Sequence, residues 1–181
     1  MEKDGDLLYK AAVFFNDHLS NRRFEMIVAR KNEKRIVEIL FLPQHFHHLL
    51  GLHKLTDIPM VSKRAANTVY REILTGKIKY DDIKRSCYIC QMTDRLTHYE
   101  DIFNILNVKS LFFRSLHGYF KGVNAECVIC KSFCDGNFAF LFLAKHQNVY
   151  FPCSFFLRNE NREYTKDGTR WNIISVNEIT K

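Results

Sequence analysis

Proline and glycine are scarce, at three and seven residues in 181. Long flexible linkers need far more of both, so the chain is expected to be one domain, 1–181, large enough to bury a sizeable core. No apolar run approaches membrane-spanning length: the longest, Phe138 to Ala144, has seven residues against the roughly 20 a spanning helix requires. The opening Met1-Glu2-Lys3-Asp4-Gly5-Asp6 is acidic where a secretory leader is basic, and no cleavage-like site follows. These absences predict a cytoplasmic protein with no membrane partner. Cofactor signatures are missing as well. There is no GxGxxG and no nucleophile elbow, and Leu74-Thr75-Gly76-Lys77 lacks the preceding glycine and the following hydroxyl of a phosphate loop. No cofactor is expected.

What the chain does have is apolar mass and positive charge. Hydrophobic residues make up 46% and aromatics 14%, with 16 Phe, a supply that excludes disorder. Six Cys without a secretory leader read as reduced thiols. Net charge is +7 and the pI near 9.1, which fits either a generic basic surface or a footprint for nucleic acid. Distribution favours the second. Between Asn107 and Arg158 lie Lys109, Arg114, Lys121, Lys131, Lys145 and Arg158, against two carboxylates, Glu126 and Asp135.

The periodicity predicts an α+β fold. Residues 6–19 place Leu8, Ala12, Phe15 and Leu19 on one helical stripe, with Asp4 and Asp6 at the positive end of the dipole. Arg23–Arg30 and Arg35–Leu42 alternate as strands around a polar turn, Lys31–Lys34, giving an early β-hairpin. Pro43 suits the first turn of a helix running to about Leu52. A third helix is expected over Ser62–Leu74, stopped by Gly76. A fourth starts near Asp81 or Asp82 and is expected to break near Thr93. It resumes at Thr97 through the capping box Thr97-His98-Tyr99-Glu100. From about residue 108 the pattern shifts to short apolar runs: Leu111–Arg114, Ala125–Ser132, Phe138–Lys145, Val149–Phe156 and Trp171–Val176. Asp135-Gly136-Asn137 and His146-Gln147-Asn148 are expected turns between them. The architecture predicted is N-terminal helices (about 1–107) packed on a C-terminal antiparallel sheet of four to five strands (about 108–181).

Two clusters bear chemistry. Cys87-Tyr88-Ile89-Cys90 and Cys127-Val128-Ile129-Cys130 have the spacing of a four-thiolate zinc site. Their interiors are bulky and apolar, however, and the second pair sits in a strand pattern where i and i+3 face opposite ways. Buried thiols acting as small hydrophobes are the better account. The denser cluster is Gln44 to Lys54, with His45, His47, His48 and His53. It has no HExxH and no carboxylate before Asp57, so no metal is expected there. Imidazole and ammonium groups alone suit RNA cleavage, because RNA carries its own nucleophile in the 2′-hydroxyl. A base removes that proton, an acid protonates the leaving 5′-oxygen, and cations stabilise the phosphorane.

Phe46-His47-His48-Leu49-Leu50-Gly51-Leu52-His53-Lys54-Leu55-Thr56-Asp57-Ile58 resembles the F-x-HLLGLHKLxDI segment of a phage-associated nuclease family, the fourth group of barnase–EndoU–colicin–RelE-like ribonucleases. Tyr150-Phe151-Pro152-Cys153-Ser154-Phe155-Phe156 is similar to its P-x-SFF element. Tyr164 and Trp171 stand where its closing turn and last strand are expected. The resemblance implies a metal-independent endoribonuclease of phage, mobile-element or toxin context. Its expected partners are RNA and, in a toxin, a cognate immunity or antitoxin protein. It implies catalytic roles for His48, His53, Lys54 and Ser154, without deciding which His is base and which acid. Tyr150, Arg158, Lys131 and Trp171 are the candidate substrate-binding residues. With Val149, Phe151, Cys153 and Phe155 toward the core, Tyr150 and Ser154 would share the opposite face of their strand. That face is expected to meet the helix carrying His48. Pro152, lacking a donor, places the strand at an edge or an end. The alternatives are a non-catalytic RNA-binding or interaction domain on the same fold, and a zinc-stabilised module using the Cys pairs.

Overall fold

In a computed structural model, residues 5–115, 120, 123–133, 136–159, 162–166 and 168–179 are described. Asp4, Lys121 and Asp135, assigned above to a helix dipole, a basic stretch and a hairpin turn, lie outside the described residues. The chain is α+β and divides into two compact units. One is helical and drawn from residues up to Asn21 and Leu42–Glu100. The other comprises Arg22–Phe41 and the chain from Asp101 onward. No helix among the described residues is long and apolar enough to cross a membrane.

The helical unit begins with α1, Leu7–His18, whose N-cap Asp6 accepts the Tyr9 N–H at 2.9 Å. The other Asp6 oxygen accepts the N–H of Tyr80, 2.8 Å away at the start of α5 (Tyr80–Ile83). One carboxylate thus serves two helix N-termini. Three rings make the centre of this unit: Phe15 of α1, Phe46 of α2 (His45–Leu50) and Tyr70 of α4 (Ala66–Leu74), with centroids 5.1–5.8 Å apart. The helix expected over Ser62–Leu74 is two pieces. Pro59 opens α3 (Pro59–Ser62) and Ala65 is extended before α4 begins. Ser62 bonds back to the Ile58 carbonyl, and Arg64 forms a two-pronged pair with Glu72. Nor does α6 (Cys90–Thr97) break at Thr93. The hydroxyl of Thr97 is spent on the carbonyls of Thr93 and Asp94, so Thr97 closes this helix instead of capping the next. The following helix, α7 (Asp101–Asn104), belongs to the second unit.

Among the described residues, that second unit is a closed barrel of seven strands: β1 (Arg23–Arg30), β2 (Glu33–Leu40), β3 (Leu111–Ser115), β4 (Cys127–Ser132), β5 (Phe138–His146), β6 (Val149–Arg158) and β7 (Gly168–Glu178). The order around the barrel is β1-β2-β6-β5-β4-β3-β7. The expected four to five antiparallel strands are therefore seven, in a mixed sheet. The early hairpin joins the C-terminal meander through β7 on one side and β6 on the other. The β2–β6 pairing is parallel and only two residues long, Glu38 with Val149 and Ile39 with Tyr150. Pro152 lies just past it, where β6 has a neighbour on one side only.

Closure explains the apolar run in β5. Ala139 to Leu143 are all fully buried because both faces are covered. Leu141 and Leu143 stand opposite Ile129 and Cys127 on the luminal face. Phe140 and Phe142 join an outer cluster with Phe113, Phe120, Val128, Cys130 and Tyr164, the last from the short helix α8 (Arg162–Thr165). Cys127 and Cys130 thus fall on opposite faces of β4 and cannot converge on one ion. Burial pushes both thiols up to about 12, so they remain protonated. Phe142 touches Phe120, Phe156 and Tyr164 with centroids 5.1–5.8 Å apart. Phe142→Ala is expected to lower the unfolding free energy by about 3–5 kcal/mol, read as a lower urea midpoint.

Candidate functional site

The histidine cluster is built by one helix ending. The α2 helix stops because Gly51 is left-handed (φ 82°), its N–H turning back to the carbonyls of His47 and His48. A single 3₁₀ turn, Leu52–Lys54, follows at once. That reversal brings His53 back beside the last turn of α2. Ring centroids are 4.8 Å apart for His48 and His53, 5.4 Å for His47 and His48, and 6.1 Å for His47 and His53. One ring nitrogen from each of the three lies within 4.8 Å of the others. Phe46, Leu49, Leu50 and Leu52 are buried and fix the backbone beneath them.

The three imidazoles are not equivalent. His48 is exposed, and His53 is half-buried with its Nδ1 unpartnered. His47 is buried, its Nε2 lying 2.7 Å from the Val61 carbonyl. As donor to that oxygen, Nε2 carries the proton, which leaves the buried Nδ1 with a free lone pair. Two residues outside the cluster set its shape. Arg95 of α6 is buried and its guanidinium approaches the carbonyls of His48 and Leu49 at the negative end of α2, 3.5 Å from each. A side chain on Gly51 would meet that guanidinium at 3.2 Å. Asp57, inside the matched motif, accepts from the Ser86 hydroxyl at 2.5 Å and the Cys87 N–H at 2.9 Å. It anchors the segment and does not face the imidazoles as a base. Nothing in the local pattern singled out Arg95, which reads as an ordinary charged position of an amphipathic helix.

Burial holds His53 down to about 4, with His48, His47, Lys54 and Arg95 pushing the same way. His45 also stands at about 4, from burial and then His48, and its Nδ1 accepts the Leu42 N–H. His47 is lowered, chiefly by burial. All three are neutral at pH 7; His45 uses its lone pair on the Leu42 N–H, while His47 and His53 can hold one toward a proton or a cation.

In the barrel the remaining candidates separate. Tyr150 and Trp171 line one cavity of about 440 Å³, to which all seven strands contribute. With them stand three cations, Arg35, Arg114 and Lys145, of which Arg35 was not foreseen. The Arg35 guanidinium lies 5.0 Å from the Trp171 ring centroid, and the Lys145 ammonium 5.6 Å from that of Tyr150. The expected strict alternation of β6 fails. Phe142 pairs with Ser154 and Leu143 with Pro152, so Cys153 is an extra residue, a bulge. Tyr150 consequently faces the lumen, while Ser154, opposite Phe142, is on the outer face. Arg158 and Lys131 are at the other end of their strands. Arg158 is eight residues from Tyr150, roughly 26 Å along an extended strand. It lies over the Phe156 ring at 5.3 Å. Lys131 is bonded to the Asn104 carbonyl at 3.2 Å.

The lowered imidazoles make stability depend on pH with a definite sign. The unfolded His binds a proton from about 6.5 downward, while folded His45 and His53 resist until about 4. The unfolded state therefore takes up more protons in this window, and stability falls as pH drops through it. Denaturation midpoints are expected to decline between about pH 6.5 and 4, and less steeply in His53→Gln. Asp57, held below its usual 3.8 first by the Ser86 hydrogen bond, adds its own loss only at lower pH.

A comparison with curated proteins finds no match, and a comparison with solved structures finds none. A family model does match, over residues 7–180, which take in α1, the histidine motif and all seven strands. The chain belongs to the nuclease family described as phage-Barnase-EndoU-ColicinE5/D-RelE like nuclease4.

Proposed function

We propose that the protein is a metal-independent endoribonuclease whose reaction centre is the His48–His53–Lys54 group. The observation that carries this reading is the packing of neutral imidazoles with Lys54 and Arg95, where every group acting on His53 opposes positive charge. A phosphodiester brings negative charge to such a site. His53, neutral at pH 7, takes the 2′-hydroxyl proton as the 2′-oxygen bonds to phosphorus. The 5′-oxygen leaves with the P–O bond and receives its proton from His48, the exposed imidazole of the pair. Lys54 stabilises the non-bridging oxygens. The bound phosphate raises the pKa of His53 toward neutrality, where proton transfer is most effective. His47, locked by the Val61 carbonyl, positions the other two.

A second reading is favoured by the His47 geometry. An imidazole that gives one N–H to a backbone carbonyl and keeps the other nitrogen free, near two more imidazoles, has the arrangement of a metal ligand. Chelation separates the two.

Incubated with total RNA in excess EDTA, the protein is expected to leave 2′,3′-cyclic phosphate and 5′-hydroxyl ends, and to spare 2′-O-methyl RNA. His53→Ala and His48→Ala are expected to lower the rate by about 10²–10⁴. Loss of cleavage on chelation, restored by zinc or magnesium, would establish the metal reading instead. Absence of RNA cleavage in any of these conditions would remove both.

A further inference from the structure

The cavity at the barrel mouth has a chemistry of its own. Arg35, Arg114 and Lys145 line it without a carboxylate among the lining residues. Two carboxylates lie nearby: Glu33, in an exposed 3.4 Å pair with Arg35, and Glu126, in an adjoining cleft of about 380 Å³. The balance is positive, so the ligand is an anion. Arg114 and Lys145 line both cavities, which makes the wall between them the place for the anionic group.

The first cavity is also aromatic. Arg35 is exposed and stacks over Trp171, so its outer face is open to a second planar group. The Trp171 indole N–H is buried and has no partner among the described residues. A buried donor left unpaired at a cavity wall is a mark of a ligand or ordered water. The adjoining cleft offers Ser115, Asn124 and Glu126, groups that hydrogen-bond hydroxyls. An anion, a planar ring and a pair of hydroxyls together describe one class of molecule. Its size also suits a cavity of this order.

We propose that the barrel mouth binds a nucleotide. Its phosphate lies between Arg114 and Lys145, its base on Arg35 over Trp171, and its ribose hydroxyls toward Asn124 and Glu126. This inference stands apart from the cleavage chemistry: binding here needs no reaction at the histidine cluster, and its test reads no cleavage.

Trp171 is the only tryptophan in the chain, so indole emission reports on this cavity directly. ADP, adenosine, inorganic phosphate and a 2′-O-methyl trinucleotide would each be titrated against it. ADP or the trinucleotide is expected to change the emission saturably, with adenosine and phosphate weaker by about tenfold or more. Arg114→Ala and Lys145→Ala, at exposed positions, are each expected to weaken binding by about tenfold. Tighter binding of the trinucleotide assigns the mouth to a residue of an RNA chain, and tighter binding of ADP to a free nucleotide. No saturable change with either up to about 10 mM would overturn the proposal. So would equal affinity for phosphate and ADP, or unchanged affinity in both variants.

Discussion

His53 is half-buried against His48, with His47, Lys54 and Arg95 all acting on its ring, and each of them disfavours a proton there. Burial alone would make the imidazole reluctant to charge; the neighbours make it more so. The whole ending of α2 is organised to impose this crowding. The left-handed Gly51 turns the chain back, the buried leucines hold the turn, and Arg95 takes the negative end of the helix. Positive charge gathered against a lone pair in this way suits a phosphodiester, whose own charge is negative. The chemistry assigned to the site follows from that imbalance more than from any single residue.

The barrel solves a different problem. Its inner strands β4 and β5 are apolar on both faces, which an open sheet would expose. Joining the N-terminal hairpin to the meander removes the edges, and the outer cluster around Phe142 covers the second face. The β2–β6 seam that completes the circle is two residue pairs long, and beyond it β6 carries a proline and a bulge. Those irregularities turn Tyr150 into the mouth and Ser154 outward. The mouth therefore collects Arg35, Arg114, Lys145, Tyr150 and Trp171 from five different strands.

Local periodicity carried most of the secondary structure. α1, both hairpin strands and the five later strands stand close to where alternation and helical stripes placed them, because each buries a face with the matching period. What escaped was non-local. Nothing in Arg23–Leu40 says that this hairpin pairs with β6 and β7, since closure depends on partners more than a hundred residues away. The parity of β6 departs from strict alternation because one extra residue reverses every side chain beyond it. In the site, the histidine motif was legible from composition and spacing, and its resemblance to a nuclease segment was specific. Arg95 and Arg35 were not legible: one is a buried cation on a helix that looks amphipathic, the other an exposed hairpin residue. Only their neighbours distinguish them.

The central claim is that His53 is kept neutral by its surroundings and regains basicity when a phosphodiester binds. A nuclear magnetic resonance titration of the imidazole Cε1–H signals tests this directly, in the free protein and with a 2′-O-methyl dinucleotide that cannot be cleaved. His53 is expected to titrate near 4 when free and to move upward toward neutrality in the complex. A His53 that titrates near its ordinary 6.5 in the free protein, or one indifferent to the dinucleotide, would contradict the account.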